Sequence, residues 1–486
     1  MRLQGLYRIL GITLLLLVVC VVTMAINPAA AKTNNLDNLL HWTALFGILT
    51  LGVAFVIITG GIDLSIGSVV ALTGVVLAVL LTIHYEPTDH QVTVTTIDGD
   101  EGRLVLSGLP PGFTLRDQVE FKDPTSSPPN EPRSIRIDAE LTSLDNTDGV
   151  VFVEGSTRWL SEGDRGVVME ARSWSAWAAV PLVLLIAAGI GLFHGLLITK
   201  MNLQPFVVTL CGLLIYRGLS RYFAGDQSQN LTDAPEGLKA LNSGDPFSIP
   251  IPFINWIGEG RWGRVAVDSS GVQKMNRAGE VMLGGDGKPV RDAAGEMMMN
   301  PAGIAESPVA LDLVGWVPMP MPMLILLGLA VLSALFLHRT VWGRYLFALG
   351  RNEEATRFSG IDTDRMVILS YILCSLMAGL GGILIGLHIN SLQPAGHGNF
   401  YELYAIAAAV LGGCSLRGGV GSVAGVIIGT AVLRALYNAI NMLGIPTYLE
   451  YAIIGGVLLV GVMADEVVRK AIGAVQARKR RAQALG

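Results

Sequence analysis

The sequence contains few charged residues for its length. Only 15% of its 486 residues are Asp, Glu, Lys or Arg, whereas soluble domains carry about 25%. Hydrophobic residues make up 51% of the chain, and its mean hydropathy is +0.53. This composition excludes an ordinary soluble protein and predicts a chain that lies largely in a lipid bilayer.

Cysteine is also scarce, with four residues in all. Cys20, Cys211, Cys374 and Cys414 lie within apolar runs, and the long polar segments contain none. A disulfide framework is therefore not predicted, and the spacing does not match a zinc site. We interpret all four as small core residues.

Motifs for covalent or nucleotide chemistry are missing. The sequence has no GxxxxGK[ST] phosphate loop, no HExxH zinc motif and no GxSxG nucleophile motif. It therefore predicts no enzyme activity, no cofactor and no metal site in this chain. A transport function would need energy from another chain or from an ion gradient.

Long apolar runs predict an all-α polytopic membrane protein. A helix needs about 20 residues to cross a ~30 Å hydrocarbon core, and we predict about ten transmembrane helices. They cover residues 7–26, 39–60, 64–84, 175–198, 204–224, 319–338, 366–389, 401–415, 419–441 and 448–466. The eighth is short and predicts a re-entrant or broken helix. The membrane domains are residues 1–84 (helices 1–3), 175–224 (helices 4–5) and 319–466 (helices 6–10).

Basic residues near the ends of the predicted spans set the orientation. With ten spans, Lys200, the arginines of residues 339–365 and the basic tail over 467–486 all fall on one side. Both termini are therefore predicted to be cytoplasmic in a multi-pass protein of the inner (plasma) membrane. Arg217 and Arg221 fall at the outer end of the fifth span, where we expect them to snorkel. The tail is interpreted as an anchor at anionic lipid, not as a nucleic-acid site.

The first span shares one feature with a secretory signal peptide. Pro28-Ala-Ala-Ala31 is similar to a cleavage site. The apolar run from Ile9 to Ile26 is rather long for a signal core, so we predict a retained anchor. Cleavage would leave the topology of the later spans unchanged.

Two long polar segments interrupt the spans. Residues 85–174 contain alternating runs such as Gln91-Val-Thr-Val-Thr-Thr96, which predict a β-rich insert of five to seven strands. Residues 225–318 have weaker patterning and predict a loosely structured second insert with one hairpin. The predicted topology places both inserts on the periplasmic or extracellular side.

A charged island lies between the sixth and seventh spans, and its centre predicts a short helix capped at both ends. The residues that build it are the N-cap Asn352, the first-turn acids Glu353 and Glu354, the last-turn Arg357 and the left-handed Gly360. Such a short helix is marginal alone in water. Between membrane spans it is most useful as a rigid knob offered to a partner.

The island also resembles a known sequence. Gly350-Arg-Asn-Glu-Glu-Ala-Thr-Arg-Phe-Ser-Gly-Ile361 is similar to the cytoplasmic coupling loop of the sugar-importing ABC permeases (ribose, xylose or galactose type), here residues 339–365. Gly60-Gly-Ile-Asp-Leu-Ser65 resembles a second signature of that family. The resemblance covers the membrane part and leaves out both inserts. It implies a cytoplasmic ABC ATPase partner, an extracytoplasmic solute-binding protein, and a homodimer or a pair with a homologous permease.

The glycines of the second signature permit unwound backbone at membrane depth, where it needs protein or a water-filled cavity around it. Asp63 is the notable charge in this segment, and carboxylates at such depth are usually functional. Two interpretations stay open. Asp63 caps the third span with help from Ser65, or it acts in the translocation pathway or gate.

The segment Gln204-Pro-Phe-Val-Val-Thr-Leu210 opens the fifth span. Proline is acceptable in a first helical turn, and the segment is similar to a Pro-Phe-Ile-x-Thr-Leu element of the same family. We favour core packing for Phe206. Lining of the pathway by Gln204, Phe206 or Thr209 is the alternative.

Glycines recur at four-residue spacing in the later spans, namely Gly382 and Gly386, then Gly421, Gly425 and Gly429. Small residues at this spacing let membrane helices approach closely. We predict packing within one subunit, with a dimer seam as the alternative. A faint parallel repeat relates residues 60–69 to residues 412–423.

These observations predict the permease subunit of an ATP-driven importer that moves a monosaccharide or similar small polar solute by alternating access. Permeases for branched-chain amino acids or nucleosides are the nearest alternative. An ion-coupled secondary transporter would need several intramembrane acids, and few besides Asp63 are present. A membrane-anchored sensor would not need ten spans, and an intramembrane enzyme would need a Ser/His or paired Asp motif at span depth. The sequence does not name the solute.

Overall fold

A computed structural model describes the chain over most of its length. The described residues are 2–98, 103–110, 118–123, 131–136, 148–152, 160–252, 266–267, 273–274, 314–450, 452–456 and 459. They divide into two compact units. One unit is Met1–Val76, Pro181–Gln229 and Pro235–Gly486, and the other is Leu77–Val180 with Asn230–Ala234.

Helices dominate the first unit. In chain order the helices are α1 (Arg2–Ile26), α2 (Thr33–Ile58), α3 (Ile66–Leu81), α4 (Ala176–Lys200), α5 (Pro205–Phe223), α6 (Glu236–Ser243), α7 (Met321–Arg339), α8 (Val341–Arg351), α9 (Glu353–Phe358), α10 (Thr363–Ile389), α11 (Tyr401–Leu411) and α12 (Val423–Met442). Within the described ranges, α2, α4, α5, α7, α10 and α12 are long and apolar enough to cross a membrane. Three shorter apolar helices accompany them, at Leu10–Ile26, Ile66–Leu81 and Tyr401–Leu411.

The prediction of a helical polytopic membrane protein is confirmed by these helices. The count of ten stays a prediction, because most of the tenth span (448–466) and the whole basic tail lie outside the described residues. The predicted bounds of the eighth and ninth spans are wrong. Helix α11 ends at Leu411, shortly before Gly413 turns to φ +90°. Helix α12 begins only at Val423, where Ser422 caps it by accepting the N–H of Gly425 at 3.3 Å.

Helix α2 forms the centre of the helical unit. Every residue from Thr43 to Ile58 is buried, and the helix contacts α7, α10, α11 and α12. Other elements of the chain therefore cover this part of α2 on all sides. Glycines allow the close approach: a Cβ atom at Gly52 would lie 3.0 Å from the carbonyl oxygen of Cys374 in α10.

The first insert contains a six-stranded antiparallel sheet. Its strands are β1 (His84–Asp98), β2 (Arg103–Ser107), β3 (Gln118–Asp123), β4 (Glu131–Arg136), β5 (Asp148–Phe152) and β6 (Arg165–Arg172), in the spatial order β4-β3-β6-β1-β2-β5. A small apolar core comprises Val92, Val94, Leu106, Leu109, Val119, Phe121, Leu160 and Val168. Val92 and Val94 lie on the same face of β1, because every second side chain of a strand points to the same side. The side of the membrane on which this insert lies stays a prediction.

The second insert has more regular structure than the single predicted hairpin. Helix α6 lies near its start, and β7 (Phe247–Pro252) pairs antiparallel with β8 (Val314–Met319) near its end. A second pair joins Ala266–Val267 to Gln273–Lys274. Since β7 and β8 pair over their full lengths, from Phe247 with Met319 to Pro252 with Val314, they bring the two ends of residues 253–313 together.

The first insert is predicted to fold by itself. We expect residues 84–174, produced alone without detergent, to give a β-type circular dichroism spectrum and a cooperative melt. Phe121 is 2% exposed, so Phe121→Ala should lower the free energy of unfolding by about 3–5 kcal/mol. The exposed Glu170→Ala is the control and should change it by no more than about 0.5 kcal/mol. A coil spectrum for the parent segment would contradict the prediction.

Candidate functional site

The break between α2 and α3 is the first feature of the candidate site. Residues 59–65 run as irregular backbone between two apolar helices. Gly60 has φ +86°, a left-handed conformation that glycine adopts readily. A Cβ atom at Gly61 would lie 2.8 Å from the hydroxyl oxygen of Tyr371. The two glycines therefore let the chain turn sharply and pass close to α10.

Neighbouring helices satisfy the backbone of this break. The carbonyl oxygen of Ile62 accepts a hydrogen bond from the Tyr371 hydroxyl at 3.1 Å. The Thr209 hydroxyl lies 3.4 Å from the same oxygen and 3.0 Å from the carbonyl oxygen of Pro205 in its own helix. Gly61 donates its N–H to the carbonyl oxygen of Val56 at 3.0 Å. Unpaired backbone groups at membrane depth are costly, so the Tyr371 hydroxyl of α10 supplies a donor that the break requires, and the Thr209 hydroxyl of α5 lies beside it.

Asp63 lies inside the break and is 1% exposed. Its Oδ1 accepts the N–H of Ser65 at 2.9 Å and the hydroxyl of Ser65 at 2.7 Å. The other oxygen, Oδ2, is buried and has no hydrogen-bond partner with good geometry among the described residues, although the Cys374 thiol interacts with the carboxylate. The cap interpretation needs correction: Asp63 closes a turn onto Ser65, and the residue directly before α3 is Ser65. The pathway interpretation stays a prediction.

A buried pair of polar side chains lies close enough to Asp63 to interact with its charge. The Tyr216 hydroxyl and the His194 Nε2 are 2.9 Å apart, which joins α5 to α4. The Asp63 carboxylate interacts electrostatically with both side chains. His194 Nδ1 is buried and has no hydrogen-bond partner in the part of the chain that the structure describes. The site thus holds two buried polar atoms, Asp63 Oδ2 and His194 Nδ1, for which the described part of the chain offers no conventional hydrogen-bond partner.

Sequence reasoning missed His194, Tyr216 and Tyr371. The signal was present as three polar rings inside predicted spans, where polar side chains need internal partners. On α5 the buried residues are Val208, Thr209, Gly212, Tyr216 and Ser220. The small and polar residues of this helix therefore face its protein neighbours, the opposite of a soluble helix with a buried apolar face.

Because the small and polar residues of α5 face inward, the interpretation of Phe206 as a core residue needs correction. This ring is 50% exposed and lies on the outer face of α5, so it does not pack in the core of this chain. Gln204 precedes the helix, is exposed, and makes no capping hydrogen bond through its side chain. Of the three residues predicted at this helix start, only Thr209 reaches the break.

The two arginines of α5 have hydrogen-bond partners, and their snorkelling stays a prediction. Arg217 donates to the carbonyl oxygens of Pro394, at 3.2 Å, and His397. Arg221 makes two hydrogen bonds of 2.7 Å to Asp226, and these lower the pKa of that carboxyl.

Burial and the Arg217 guanidinium lower the pKa of His397 to about 4, so its ring is neutral at pH 7.

The charged island contains the short helix α9. Asn352 accepts the N–H of Ala355 at 2.9 Å, as an N-cap does. Arg357 is 3.1 Å from Glu353, one turn away, and Gly360 has φ +79°. Glu354 is exposed. The helix is therefore capped at its start, paired along one side and ended by a left-handed glycine.

Ion pairs tie this helix to its neighbours. The Arg357 guanidinium also lies 3.9 Å from Asp364 and donates to the Thr363 hydroxyl at 3.3 Å. Asp364 in turn accepts from Lys200 at 2.7 Å. The end of α4, the helix α9 and the start of α10 consequently form one charged cluster. Each exposed pair contributes only about 0–1 kcal/mol, so the cluster orients α9 more than it stabilises the fold.

The predicted packing glycines make close contacts inside the chain. A Cβ atom at Gly382 would lie 2.2 Å from Thr73 Oγ1, where α10 crosses α3. Cβ atoms at Gly425 and Gly429 would lie 2.0 and 2.3 Å from backbone oxygens of residues 412 and 408, where α12 meets the end of α11. Gly386 is buried in α10. Gly421 lies in the loop before α12, so its placement in a helical series was wrong.

Arg434 in α12 is a further charge inside a span, half-buried among aromatic rings, that sequence reasoning missed. Its guanidinium carbon lies 5.0, 4.8 and 4.6 Å from the ring centroids of Trp42, Phe46 and Tyr437. Cation–π contacts of this kind strengthen where water is excluded. The arginine therefore links α12 to α2 at Trp42 and Phe46.

Among the described residues, no cluster of His, Cys, Asp and Glu could hold a metal ion.

Comparison with known proteins identifies the family. The family model described as the branched-chain amino acid transport system / permease component matches residues 35–462. The chain belongs to this family. The match begins just inside α2, so it contains the break, the charged island and the glycine contacts described above.

Individual relatives in the comparison are named as sugar permeases. The ribose import permease protein RbsC of Escherichia coli (strain K12) is 27% identical over 451 residues, which cover 93% of this chain and 91% of the relative. The xylose transport system permease protein XylH of the same strain is 26% identical, with 92% and 88% covered. RbsC of Bacillus subtilis (strain 168) is 25% identical, with 95% and 94% covered. No solved structure matches this chain.

The glycine contacts generate a stability prediction. We expect Gly382→Ala to lower the melting temperature of the purified chain, since forcing a methyl group against Thr73 costs about 1–3 kcal/mol. The control is Gly189→Ala in α4, where nothing lies within 4 Å of the new carbon. Removing glycine from a helix there should stabilise by about 0.5–1 kcal/mol. Thermal unfolding in detergent, followed by fluorescence, measures both, and equal melting temperatures would contradict the prediction.

Proposed function

We propose that the chain is the membrane-spanning permease subunit of an ATP-driven importer, and that it moves a monosaccharide or a similar small polar solute by alternating access. The observation that carries this proposal is the family match over residues 35–462, joined to relatives named for ribose and xylose along nearly their whole length. The solute among the monosaccharides is left open.

A branched-chain amino acid is the second candidate, favoured by the description of the family. Uptake of radiolabelled ribose, xylose and leucine by cells that express the chain with its partners separates the two candidates. We expect uptake of a pentose that unlabelled leucine does not inhibit. Uptake of leucine alone would reassign the solute without changing the class of transporter.

The helix α9 is the proposed contact with a cytoplasmic ABC ATPase, and we call it the coupling helix. Phe358 at its end is 90% exposed, and the side chains of Glu353 and Arg357 are 59% and 63% exposed. An aromatic ring surrounded by charges is a common anchor of a protein interface. The charged cluster with Asp364 and Lys200 holds this surface in a fixed orientation for the ATPase.

The break at residues 59–65 is the proposed gate of the pathway. Asp63, Ser65 and Thr209 are 1%, 0% and 0% exposed, so a solute reaches them only after the surrounding helices move. A solute rich in hydroxyl groups could then exchange hydrogen bonds with Asp63 and with the His194 Nδ1, which has no hydrogen-bond partner among the described residues. Polar groups that are buried in this conformation and become exposed only after a movement suit a gate better than a permanently open binding site.

Two further partners complete the proposal. A soluble extracytoplasmic binding protein delivers the solute, and a second permease, identical or homologous, encloses the pathway. The outer face of α5 is available to that second permease, because Phe206, Leu210 and Leu214 are 50%, 40% and 66% exposed. In a bilayer the same face would suit lipid, so cross-linking from α5 is the direct measurement of the pairing.

Charge reversal on the coupling helix tests the ATPase contact. We expect Glu354→Lys to leave the chain in the membrane and to lower solute uptake and solute-stimulated ATP hydrolysis by about tenfold or more, since reversing a charge at an interface costs about 1–3 kcal/mol. Glu236→Lys is the matched control, as Glu236 also lies exposed in the first turn of a short helix. Normal uptake by the Glu354→Lys variant would remove the coupling role.

Cysteine labelling tests the orientation. In a chain whose four native cysteines are replaced by serine, we expect Glu162→Cys and Glu236→Cys to react with a membrane-impermeant thiol reagent in intact spheroplasts. Phe358→Cys should react only after lysis, because the positive-inside rule places the charged island in the cytoplasm. All three positions are exposed. Reaction of Phe358→Cys in intact spheroplasts would reverse the topology.

A further inference from the structure

Helix α8 meets the backbone of two other segments at Gly350. Gly350 is its next-to-last residue. A Cβ atom at Gly350 would lie 1.9 Å from the carbonyl oxygen of Ile58 and 2.4 Å from the backbone nitrogen of Gly419. Both distances are far below a van der Waals contact. Glycine is therefore the residue that fits where α8 crosses the end of α2.

The third segment, the loop between α11 and α12, makes the reciprocal contact. A Cβ atom at Gly418 would lie 2.6 Å from the carbonyl oxygen of Gly350 and 3.0 Å from the nitrogen of Gly60. Gly419 donates its N–H to the carbonyl oxygen of Ile58 at 2.8 Å. We call these five residues, Ile58, Gly60, Gly350, Gly418 and Gly419, the glycine junction.

Each of the three segments that meet at the glycine junction continues into a feature described above. Asn352 alone separates α8 from the coupling helix α9. Gly60 lies in the break that contains Asp63. Gly418 and Gly419 belong to the second copy of the faint repeat, residues 412–423. Leu346 and Leu349 of α8 are 0% and 3% exposed in the main apolar core, so α8 is held firmly against α2.

The mechanical consequence follows from close packing. A contact through long side chains can absorb a small displacement, because the side chains change rotamer. A contact between backbones has no rotamers to change, and close-packed interiors transmit strain. A displacement of the coupling helix therefore passes through Gly350 to the end of α2 and to residues 412–423 together.

We propose that the glycine junction is the positioning element that carries motion of the coupling helix to the gate at Asp63 and, at the same time, to the second copy of the repeat. This inference rests on the proposed ATPase contact of α9. It adds that Gly350, Gly418 and Gly419 act neither on the ATPase nor on the solute. They set how much of the ATPase movement reaches the gate.

The test uses the full complex of the chain with its ATPase and binding protein in lipid nanodiscs. We expect Gly350→Ala to keep the ATPase bound and its basal hydrolysis unchanged. The stimulation of hydrolysis by solute-loaded binding protein should fall by about fivefold or more, within the usual range of coupling between sites. The control is Gly328→Ala in α7, where nothing lies within 4 Å of the new carbon, and it should keep full stimulation.

The outcomes separate the two proposals. If the ATPase does not co-purify with the unaltered chain, the proposed function fails before the junction is tested. If the ATPase binds and Gly350→Ala keeps normal stimulation, the junction has no transmitting role. A general loss of stability would lower basal and stimulated hydrolysis together, and that result would also overturn the proposal.

A measurement on the unaltered complex covers the case in which Gly350→Ala does not assemble. Hydrogen exchange reports the amide of Gly419, which donates to Ile58. We expect this amide to stay protected both without nucleotide and with a bound non-hydrolysable ATP analogue, while protection around the gate, residues 59–65, changes. Loss of Gly419 protection in the ATP-bound state would show that the junction opens, and the proposal would then fail.

Discussion

The hydrogen bonds that satisfy residues 59–65 are the constraint on which the helical unit depends. A chain that leaves its helix at membrane depth must find partners for the exposed backbone groups, because lipid offers none. Here the Ile62 carbonyl accepts the Tyr371 hydroxyl of α10 and lies 3.4 Å from the Thr209 hydroxyl of α5. The Ile58 carbonyl, directly before the break, accepts an amide from the loop before α12. The helices α5 and α10 and the loop before α12 must all be in place before the backbone around the break is satisfied. The position of the break therefore fixes the positions of these three segments.

This requirement explains the uneven placement of polar residues in the spans. Thr209 and Tyr216 face inward on α5, and Tyr371 does so on α10, while large apolar side chains such as Leu214 face outward. Glycine occurs where the helices must come within backbone contact of the break. The arrangement puts a buried carboxylate, a histidine and two tyrosines into one region, and the four cysteines are free.

Local features were predictable from the sequence, and features that depend on partners were not. The cap of α9 by Asn352 and the left-handed Gly360 follow from rules that act within a few residues. The helix ends at Leu411 and Val423 were misplaced because apolar composition continues past the glycines that turn the chain. Phe206 was assigned to the core because aromatic side chains usually lie there, yet in a membrane helix the outer face is apolar too. His194 and Arg434 needed knowledge of which helices meet.

The burial of α2 has a consequence for biosynthesis. This helix precedes α7, α10, α11 and α12, the helices that contact it, so all four are translated after it. Until α10, α11 and α12 are made, the sides of α2 that they cover stay open to lipid, and the apolar residues there suit that surrounding. The helix therefore inserts as an independent span and becomes the central element only when α12 has been translated. The helical unit can close only after residues 423–442 have been synthesised.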